Sequence, residues 1–276
     1  MIRAVRRVAP DPQRKEAGEV TRMFGAIAPT YDFLNHALSL NVDRYWRRMA
    51  VRAMEPKPRG LYLDLCTGTG DLAFALARRS GARVMGLDFT GPMLEIAMKK
   101  ARRQGSGICW VQADALRLPL RDDCVDGITV AFGVRNFEDL ERGLAEAARV
   151  LKPGGRLVVL EFSEPRGRLF GPLYRLYFHR LLPRIGALFS RVRGPYGYLA
   201  ATVQGFPEPE QFAMTMRRNG FAEVRQHPLT GGIATLHVAE RGTKGGVRLH
   251  GLGPWSGEGM ALPVQETTPF PGEPER

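Results

Sequence analysis

The chain has 276 residues, a formal net charge of +12 and a hydrophobic content of 44%, which suits a globular domain with a full core. It contains no run of ~18 uninterrupted apolar residues, which argues against a membrane-spanning helix. The charged first 15 residues lack the apolar segment of a secretory signal, and the three cysteines form no CxxC pair, which argues against a disulfide framework and a zinc site. We therefore expect a cytoplasmic protein without a metal ion.

The sequence of the first part of the chain predicts an N-terminal extension, then a helical lid, and then strands that alternate with helices. Residues 1–18 are basic and contain proline, so we predict a flexible N-terminal extension. One domain is predicted over 19–241, and its first part, 19–55, is predicted to be a helical lid. The predicted strands are 61–65, 83–88, 108–112, 125–131 and 156–162, with a turn at 152–155 before the last of them. Apolar residues at helical spacing predict helices between these strands.

The end of the domain follows a different pattern. Two β-like runs, 222–227 and 233–239, are joined by "PLTGG", which predicts an antiparallel hairpin. Strands that alternate with helices imply a parallel sheet covered by helices on both faces. We therefore predict an α/β, Rossmann-like fold with a mostly parallel seven-stranded sheet and a C-terminal antiparallel hairpin. Residues 242–276 are rich in glycine and proline and predict a disordered tail.

A glycine turn, "DLCTGTGD" at 64–71, predicts a ligand site. The spacing GxGxxA at 68–73, with Asp88 beyond it, also satisfies the loose fingerprint of a dinucleotide-binding dehydrogenase. In that class the pyrophosphate lies over the helix N-terminus. Here Asp71 occupies this position and Asp64 precedes the turn, so two carboxylates would repel a phosphate and favour the ammonium and sulfonium of S-adenosylmethionine. The alternative for Asp71 is a helix cap stabilised by the helix dipole.

Two further acids follow the next strands of the predicted sheet. Asp88 ends the second strand and would accept hydrogen bonds from ribose hydroxyls, a role that dinucleotide sites share. Asp114 follows the third strand and could accept from the adenine amino group, while Ala115 offers a backbone donor; the alternative for Asp114 is a turn cap. Acids at the ends of the first three strands together predict a site for an adenosyl cation.

Several longer motifs carry a family resemblance. They include "YDFLN" at 31–35, "LDLCTGTGDLA" at 63–73, "FGVRN" at 132–136, "ARVLKPGGRLVVLEFS" at 148–163 and "LTGGIATLH" at 229–237. Over about residues 20–240 the chain resembles the quinone-biosynthesis C-methyltransferases, which are class I S-adenosylmethionine-dependent enzymes. The resemblance implies methylation of demethylmenaquinone to menaquinone, or, in some bacteria, methylation of a ubiquinone precursor.

The resemblance also implies residues that contact S-adenosylmethionine. It places Thr69, Asp88, Asp114 and Ala115 at the cofactor, with Ala131 close by; Ala131 depends only on matching the end of the fourth strand. Together with the residues of the turn, the predicted cofactor site comprises Asp64, Gly68, Thr69, Gly70, Asp88, Asp114, Ala115 and Ala131.

The expected substrate is a quinol ring on a prenyl tail, whose carbon attacks the methyl group once a phenolic proton is lost. Arg135 is a poor base because of its high pKa, so we expect it to stabilise the phenolate while Asn136 orients a water or hydroxyl. The alternative is that both residues hold a loop. Tyr31 in the lid is predicted to contact ligand or substrate, or else to pack as an aromatic residue. His179 is another candidate base, although a lone histidine more often has a structural role.

Some positions depart from the family pattern. Cys66 and Thr67 stand where small residues are usual, and Asp114 stands where asparagine is usual. Asp43 replaces a histidine, and Pro195–Tyr196 replaces a Ser-Tyr pair. The last two departures leave the identity of the quinone open.

A basic, aromatic segment falls in the predicted insertion 164–200. Residues 166–193 contain seven arginines and no acidic residue. This composition predicts peripheral association with an anionic membrane surface at the inner face of the cytoplasmic membrane, or alternatively a solvated cover of the substrate pocket. The sequence is compatible with a homodimer but does not decide the oligomeric state, and no nucleic acid is expected as a partner.

Two rival functions follow from the positive charge. An RNA or protein methyltransferase that modifies amino nitrogens typically has an Asn/Asp-Pro-Pro-Tyr loop after the fourth strand, where this chain has "AFGVRN". A non-catalytic nucleic-acid or membrane binder on a methyltransferase fold is disfavoured by the intact glycines and acids of the turn.

Overall fold

The computed structural model describes residues 10–165, residue 171 and residues 194–243. All of them fall within one compact unit of the chain. Most of the basic segment 166–193, the candidate base His179 and the tail from residue 244 onward lie outside the described residues.

Helices and strands alternate along most of the first described segment. It contains α1 (Ala17–Leu38), α2 (Val42–Met54), β1 (Leu61–Leu65), α3 (Asp71–Ser80), β2 (Arg83–Asp88), α4 (Gly91–Gln104), β3 (Cys109–Gln112), β4 (Val125–Ala131), a 3₁₀ turn (Val134–Asn136), α5 (Leu140–Val150) and β5 (Leu151–Phe162). The second contains α6 (Pro195–Gln204), α7 (Pro209–Arg218), β6 (Phe221–Leu229) and β7 (Ala234–Arg241). None of the helices in these two segments is long and apolar enough to cross a membrane.

The strands of the described segments form one seven-stranded sheet in the order β3-β2-β1-β4-β5-β7-β6. Strands β1 to β5 pair in parallel, whereas β7 is antiparallel to both β5 and β6. The predicted α/β fold with a C-terminal antiparallel hairpin is therefore confirmed. The strand order reverses between β1 and β4, and their carboxyl ends form the crevice where such sheets bind ligands.

Burial on both faces explains the uninterrupted apolar run of β5. Leu157 and Val159 pack in the cluster that includes residues of α5 and α7, while Val158 and Leu160 pack in the cluster that includes α2 and α3. All four side chains are fully buried. A central strand covered on both faces shows no polar alternation, so its sequence is apolar throughout.

The start of β5 differs from the prediction. The strand begins at Leu151, before the predicted turn at 152–155. Leu151 pairs with Val125 and the next pairing is Arg156 with Gly127, so the intervening residues bulge out of the ladder, and Gly154 there has a φ of +73°. The "KPGG" sequence thus makes an irregularity inside the strand instead of a turn before it.

Candidate active site

The glycine turn connects β1 to α3 through a left-handed backbone. The φ angles of Cys66, Gly68 and Gly70 are +56°, +55° and +88°. A Cβ atom on Gly70 would lie 2.6 Å from the ring of Trp110, whereas the space around Gly68 is open. Gly70 is therefore required for packing against β3, and Gly68 for the conformation of the turn.

Asp64 lies beneath this turn. Its side chain is 1% exposed, and its two oxygens accept hydrogen bonds from the hydroxyls of Thr67 at 2.6 Å and Thr129 at 2.7 Å. Burial raises the pKa of Asp64 to about 6, although both hydroxyls oppose the shift. The expected contact of Asp64 with a cationic ligand is therefore corrected: β1 places Asp64 inside the fold, where it braces the turn against β4.

Asp71 forms an ion pair with another residue of the protein. Its carboxylate lies 2.8 Å from the ammonium of Lys100, which is also 2.6 Å from Asp32 of α1. Asp32 in turn accepts a hydrogen bond from the hydroxyl of Thr69, which is buried. Asp71 is thus paired with a cation instead of presenting a free charge, and the hydroxyl of Thr69 anchors α1 to the turn.

A pocket of about 830 Å³, including its open mouth, lies at the carboxyl ends of β1 to β4. The predicted site residues that line it are Tyr31, Gly68, Asp88, Asp114, Ala115, Ala131 and Asn136. The predicted residues that do not are Asp64, Thr69, Gly70 and Arg135.

Asp88 is the most firmly oriented acid of the pocket. Its carboxylate accepts hydrogen bonds from the backbone amides of Gly68 and Thr90, both at 2.8 Å. Burial raises the pKa of Asp88, while these amides act in the opposite direction. A carboxylate oriented in this way at the pocket wall is the type of acceptor that binds a ligand with two adjacent hydroxyls.

Asp114 has both of the roles considered for it. Its carboxylate accepts a hydrogen bond from the amide of Leu116 at 2.9 Å, which caps the turn after β3, and it also lines the pocket beside Ala115. The hydrogen bond from Leu116 orients the carboxylate, and the remaining lone pairs of its oxygens can accept hydrogen bonds from a ligand.

The charges of the pocket favour a cationic ligand. Among the described lining residues, the carboxylates are Asp88, Asp114 and Glu138, and the one basic side chain is Lys15. This balance opposes a pyrophosphate and suits S-adenosylmethionine, whose hydroxyls, adenine and sulfonium match acceptors and negative charge. Asp88, Asp114 and Ala115 would hold such a cofactor. The acids that discriminate against phosphate therefore line the ends of β2 and β3 and the loop after β4.

Arg135 is held behind the pocket. Its guanidinium lies 2.8 Å from Glu161 of β5, donates to the backbone oxygen of Phe132, and its carbon lies 5.5 Å from the ring centre of Phe162. Arg135 and Glu161 are 5% and 1% exposed. The expected contact between Arg135 and a phenolate is therefore corrected to the alternative, in which the guanidinium holds the loop after β4.

Asn136 and Tyr31 both line the pocket. The side-chain oxygen of Asn136 is buried and has no hydrogen-bond partner within the described segments, so it is available to a ligand donor. The ring of Tyr31 packs edge-on against Phe24, with centroids 6.1 Å apart. Burial raises the pKa of Tyr31, although Arg135 and Arg47 lower it, so its hydroxyl remains a neutral donor at neutral pH. Tyr31 is thus both a packed aromatic residue and a pocket residue.

One wall of the pocket was not predicted from the sequence. Lys15 and Ala17 line it, although both lie in the segment predicted to be a flexible extension. Phe24 of α1 and Met93 of α4 line it too, beside the cluster in which these helices pack together. No pattern in the sequence pointed to Lys15, and an apolar residue of a helix such as Met93 carries no signal of a ligand site.

The fold has solved counterparts. The crystal structure of a SAM-dependent methyltransferase from Aquifex aeolicus matches with a TM-score of 0.54 at 18% sequence identity, covering 71% of this chain and 89% of that chain. At this identity the likeness concerns the fold alone.

Sequence relatives are much closer. A demethylmenaquinone methyltransferase from Thermus thermophilus is 51% identical over 221 residues, which cover 79% of this chain and all of the relative. A ubiquinone/menaquinone biosynthesis C-methyltransferase UbiE from Geotalea daltonii is 47% identical over 231 residues, 82% of this chain and 98% of the relative. The model of the ubiE/COQ5 methyltransferase family matches residues 12–241. The chain therefore belongs to the ubiE/COQ5 methyltransferase family, which confirms the predicted S-adenosylmethionine-dependent methyltransferase.

Proposed function

We propose that the protein transfers a methyl group from S-adenosylmethionine to a ring carbon of a prenylated quinol, converting demethylmenaquinol to menaquinol. The observation that carries the proposal is the acidic pocket at the carboxyl ends of β1 to β4 in a chain of this family. The name of the Thermus thermophilus relative favours the naphthoquinol. The name of the Geotalea daltonii relative supports a ubiquinone precursor as the alternative.

Different residues of the pocket bind the cofactor and the substrate. Asp88 and Asp114 bind the hydroxyls and the adenine of the adenosyl group, and their backbone hydrogen bonds fix them beforehand. When bound, the cofactor supplies a methyl group on a cationic sulfur. Asn136 lies past β4, and its free oxygen accepts a hydrogen bond from a substrate hydroxyl. Apolar lining residues, among them Phe24, Met93 and Phe137, pack against the ring and exclude water.

The test is incubation of the protein with a labelled methyl donor and a panel of demethylated naphthoquinols and benzoquinols. We expect label in the naphthoquinol product, and faster transfer to it than to any benzoquinol. Preferential transfer to a benzoquinol would support the ubiquinone alternative. Tight binding of S-adenosylmethionine without transfer to any quinol would contradict the proposal and favour the non-catalytic binder.

We further propose peripheral binding to an anionic membrane, because a prenylated substrate partitions into the bilayer. Phe33 and Leu40 are 69% and 83% exposed at the end of α1, and Arg44 and Arg48 lie exposed on α2 nearby. Large apolar side chains beside cations suit an interface with lipid head groups. The basic segment 166–193 would add to this charge.

Sedimentation with liposomes tests the membrane proposal. We expect the wild type to pellet with anionic liposomes at low salt, and a variant carrying Phe33→Ser and Leu40→Ser to pellet less. Met214→Ser, which removes an exposed apolar residue of α7, is the matched control and should behave as the wild type. Equal recovery with neutral liposomes at every salt concentration would contradict the proposal.

A further inference from the structure

Lys15 lines the pocket and feels the charge of Arg135, which lies in the 3₁₀ turn after β4. It belongs to the short segment that leads into α1, and its side chain lines the pocket together with Tyr31 and Asn136. The charges that act on it most strongly are Arg135, in the 3₁₀ turn after β4, and Glu161 of β5. Lys15 therefore lines the same pocket as Asn136, to which the proposed function assigns the substrate hydroxyl.

The ammonium of Lys15 is unpaired within the described part of the chain. Its side chain is about half-buried, and within the described segments it makes no hydrogen bond or ion pair. Its backbone amide donates to the oxygen of Asp11 at 3.0 Å, and its φ of +48° is in the left-handed region that non-glycine residues avoid. Unfavourable backbone angles and unpaired, partly buried charges both concentrate at functional sites.

We propose that Lys15 is the proton acceptor of the reaction, taking the proton from the substrate hydroxyl next to the ring carbon that is methylated. The inference rests on the proposed function above. The neutral amine of Lys15 accepts the proton, so the O–H bond breaks and an N–H bond forms. The oxygen electron pair moves into the ring, the ring carbon bonds to the methyl carbon, and the S–C bond breaks with its electrons staying on sulfur. Loss of the ring hydrogen to water, with return of the Lys15 proton to oxygen, regenerates the hydroxyl and releases one proton overall.

The surroundings of Lys15 suit a base better than a permanent cation. Burial lowers the pKa of Lys15 and Arg135 lowers it further, while Glu161 partly opposes both. The other titratable groups that line the same pocket are Tyr31, Cys66, Asp88, Asp114 and Glu138. A bound sulfonium adds one more positive charge near the amine, which favours its neutral form. The base is therefore generated when the methyl donor is in place.

The first test observes the amine directly and needs no turnover. The lysines are reductively methylated with ¹³C-formaldehyde and titrated by NMR, and Lys15→Ala identifies the Lys15 resonance by its loss. We expect Lys15 to titrate below the ordinary lysine value of ~10.4, and at still lower pH with S-adenosylmethionine than with neutral S-adenosylhomocysteine. Titration of Lys15 at the ordinary lysine value, with and without the methyl donor, would overturn the inference.

The second test is kinetic. In single turnovers with the quinol, Lys15→Ala should lower the rate of methyl transfer at least ~100-fold, the usual contribution of a general base. It should leave the dissociation constant of S-adenosylmethionine unchanged or lower, because a like charge is removed. The rising alkaline limb of the wild-type rate should disappear, and added methylamine should restore part of the rate. Arg14→Ala, an exposed neighbour, is the matched control and should match the wild type.

The outcomes separate this inference from the proposed function. If the wild type methylates a quinol and Lys15→Ala keeps its rate and pH profile, the inference fails while the proposed function stands. A loss that appears only in KM, without a change in the pH profile or rescue by amine, would also overturn it, since a positioning residue would behave in that way. If the wild type methylates no quinol, the proposed function and this inference both fail.

Discussion

Replacing Asp64 by asparagine should change how the stability of the protein depends on pH. The carboxyl is buried under the glycine turn with two threonine hydroxyls, and burial raises its pKa from 3.8 to about 6. A shift of about two pKa units corresponds to ~3 kcal/mol between the protonated and ionised forms, at 1.36 kcal/mol per unit. The native protein therefore carries an unfavourable buried charge at neutral pH.

The stability that Asp64 contributes decreases as pH rises, because the pKa of Asp64 is raised in the folded protein. Because the folded protein binds this proton more tightly than the unfolded chain, the contribution of Asp64 is complete below pH ~4 and is lost as pH rises through about 6. Asp64→Asn cannot ionise and retains an acceptor oxygen. From pH 4 to pH 8, the unfolding free energy of the variant minus that of the wild type should therefore increase by up to ~3 kcal/mol. Urea unfolding followed by circular dichroism at each pH measures this difference.

Asp126→Asn is a control variant whose stability, relative to the wild type, should change with pH in the opposite direction. Burial acts to raise the pKa of Asp126, but its hydrogen bonds to Lys152 and Leu61 outweigh burial and lower the pKa. Asp126→Asn should therefore lose stability relative to the wild type as pH rises above the acid range. Parallel pH curves for the wild type and Asp64→Asn would refute the reasoning. So would a large loss of S-adenosylmethionine affinity in Asp64→Asn, which we expect to stay within a factor of ~3.

Further variants test other parts of the site. Asp88→Asn should weaken S-adenosylmethionine binding at least ~10-fold in calorimetric titration, because bonds to a charged acceptor are worth ~1.5–3 kcal/mol; unchanged affinity would remove Asp88 from the cofactor site. Arg135→Ala should lower the unfolding free energy by ~3–5 kcal/mol, because the buried Glu161 loses its ion-pair partner and keeps only backbone amide donors; thermal unfolding at the wild-type temperature would contradict this. Gly70→Ala should also lower the unfolding temperature, because its Cβ would lie 2.6 Å from Trp110 at a φ of +88°; an unaffected unfolding temperature would show that the turn can adjust.

The core of the fold could be predicted because its signals are local. The strands at 61–65, 83–88 and 125–131 were predicted with the bounds that the structure has. Each is an apolar run that ends at a turn. Because these strands are buried on both faces of the sheet, polar residues do not alternate with apolar ones and the run is easy to recognise. The start of β5 could not be predicted in the same way. The pairing of Leu151 with Val125 depends on a neighbouring strand, whereas Gly154 signals only a local change of direction.

The site was predicted less completely than the fold, and the acids around the glycine turn show why. Asp64 was assigned to the ligand by its place next to the turn, but it is a residue of β1 and its side chain is inside the fold. Asp71 was assigned by its charge, but its partner Lys100 is 29 residues away in sequence and comes close only when α4 packs. Asp88 and Asp114 were predicted to line the pocket because the carboxyl ends of parallel strands meet at one edge.

The remaining wall of the pocket depends on contacts that no local pattern encodes. Helix α1 is fixed to the glycine turn by the hydrogen bond from Thr69 to Asp32, and to α4 by the pairing of Asp32 with Lys100. The same helix carries Tyr31 into the pocket and follows directly after Lys15. A group that orients the cofactor turn and a group proposed to accept the proton thus belong to one continuous segment. Any movement of α1 away from the turn would therefore disturb cofactor binding and proton transfer together.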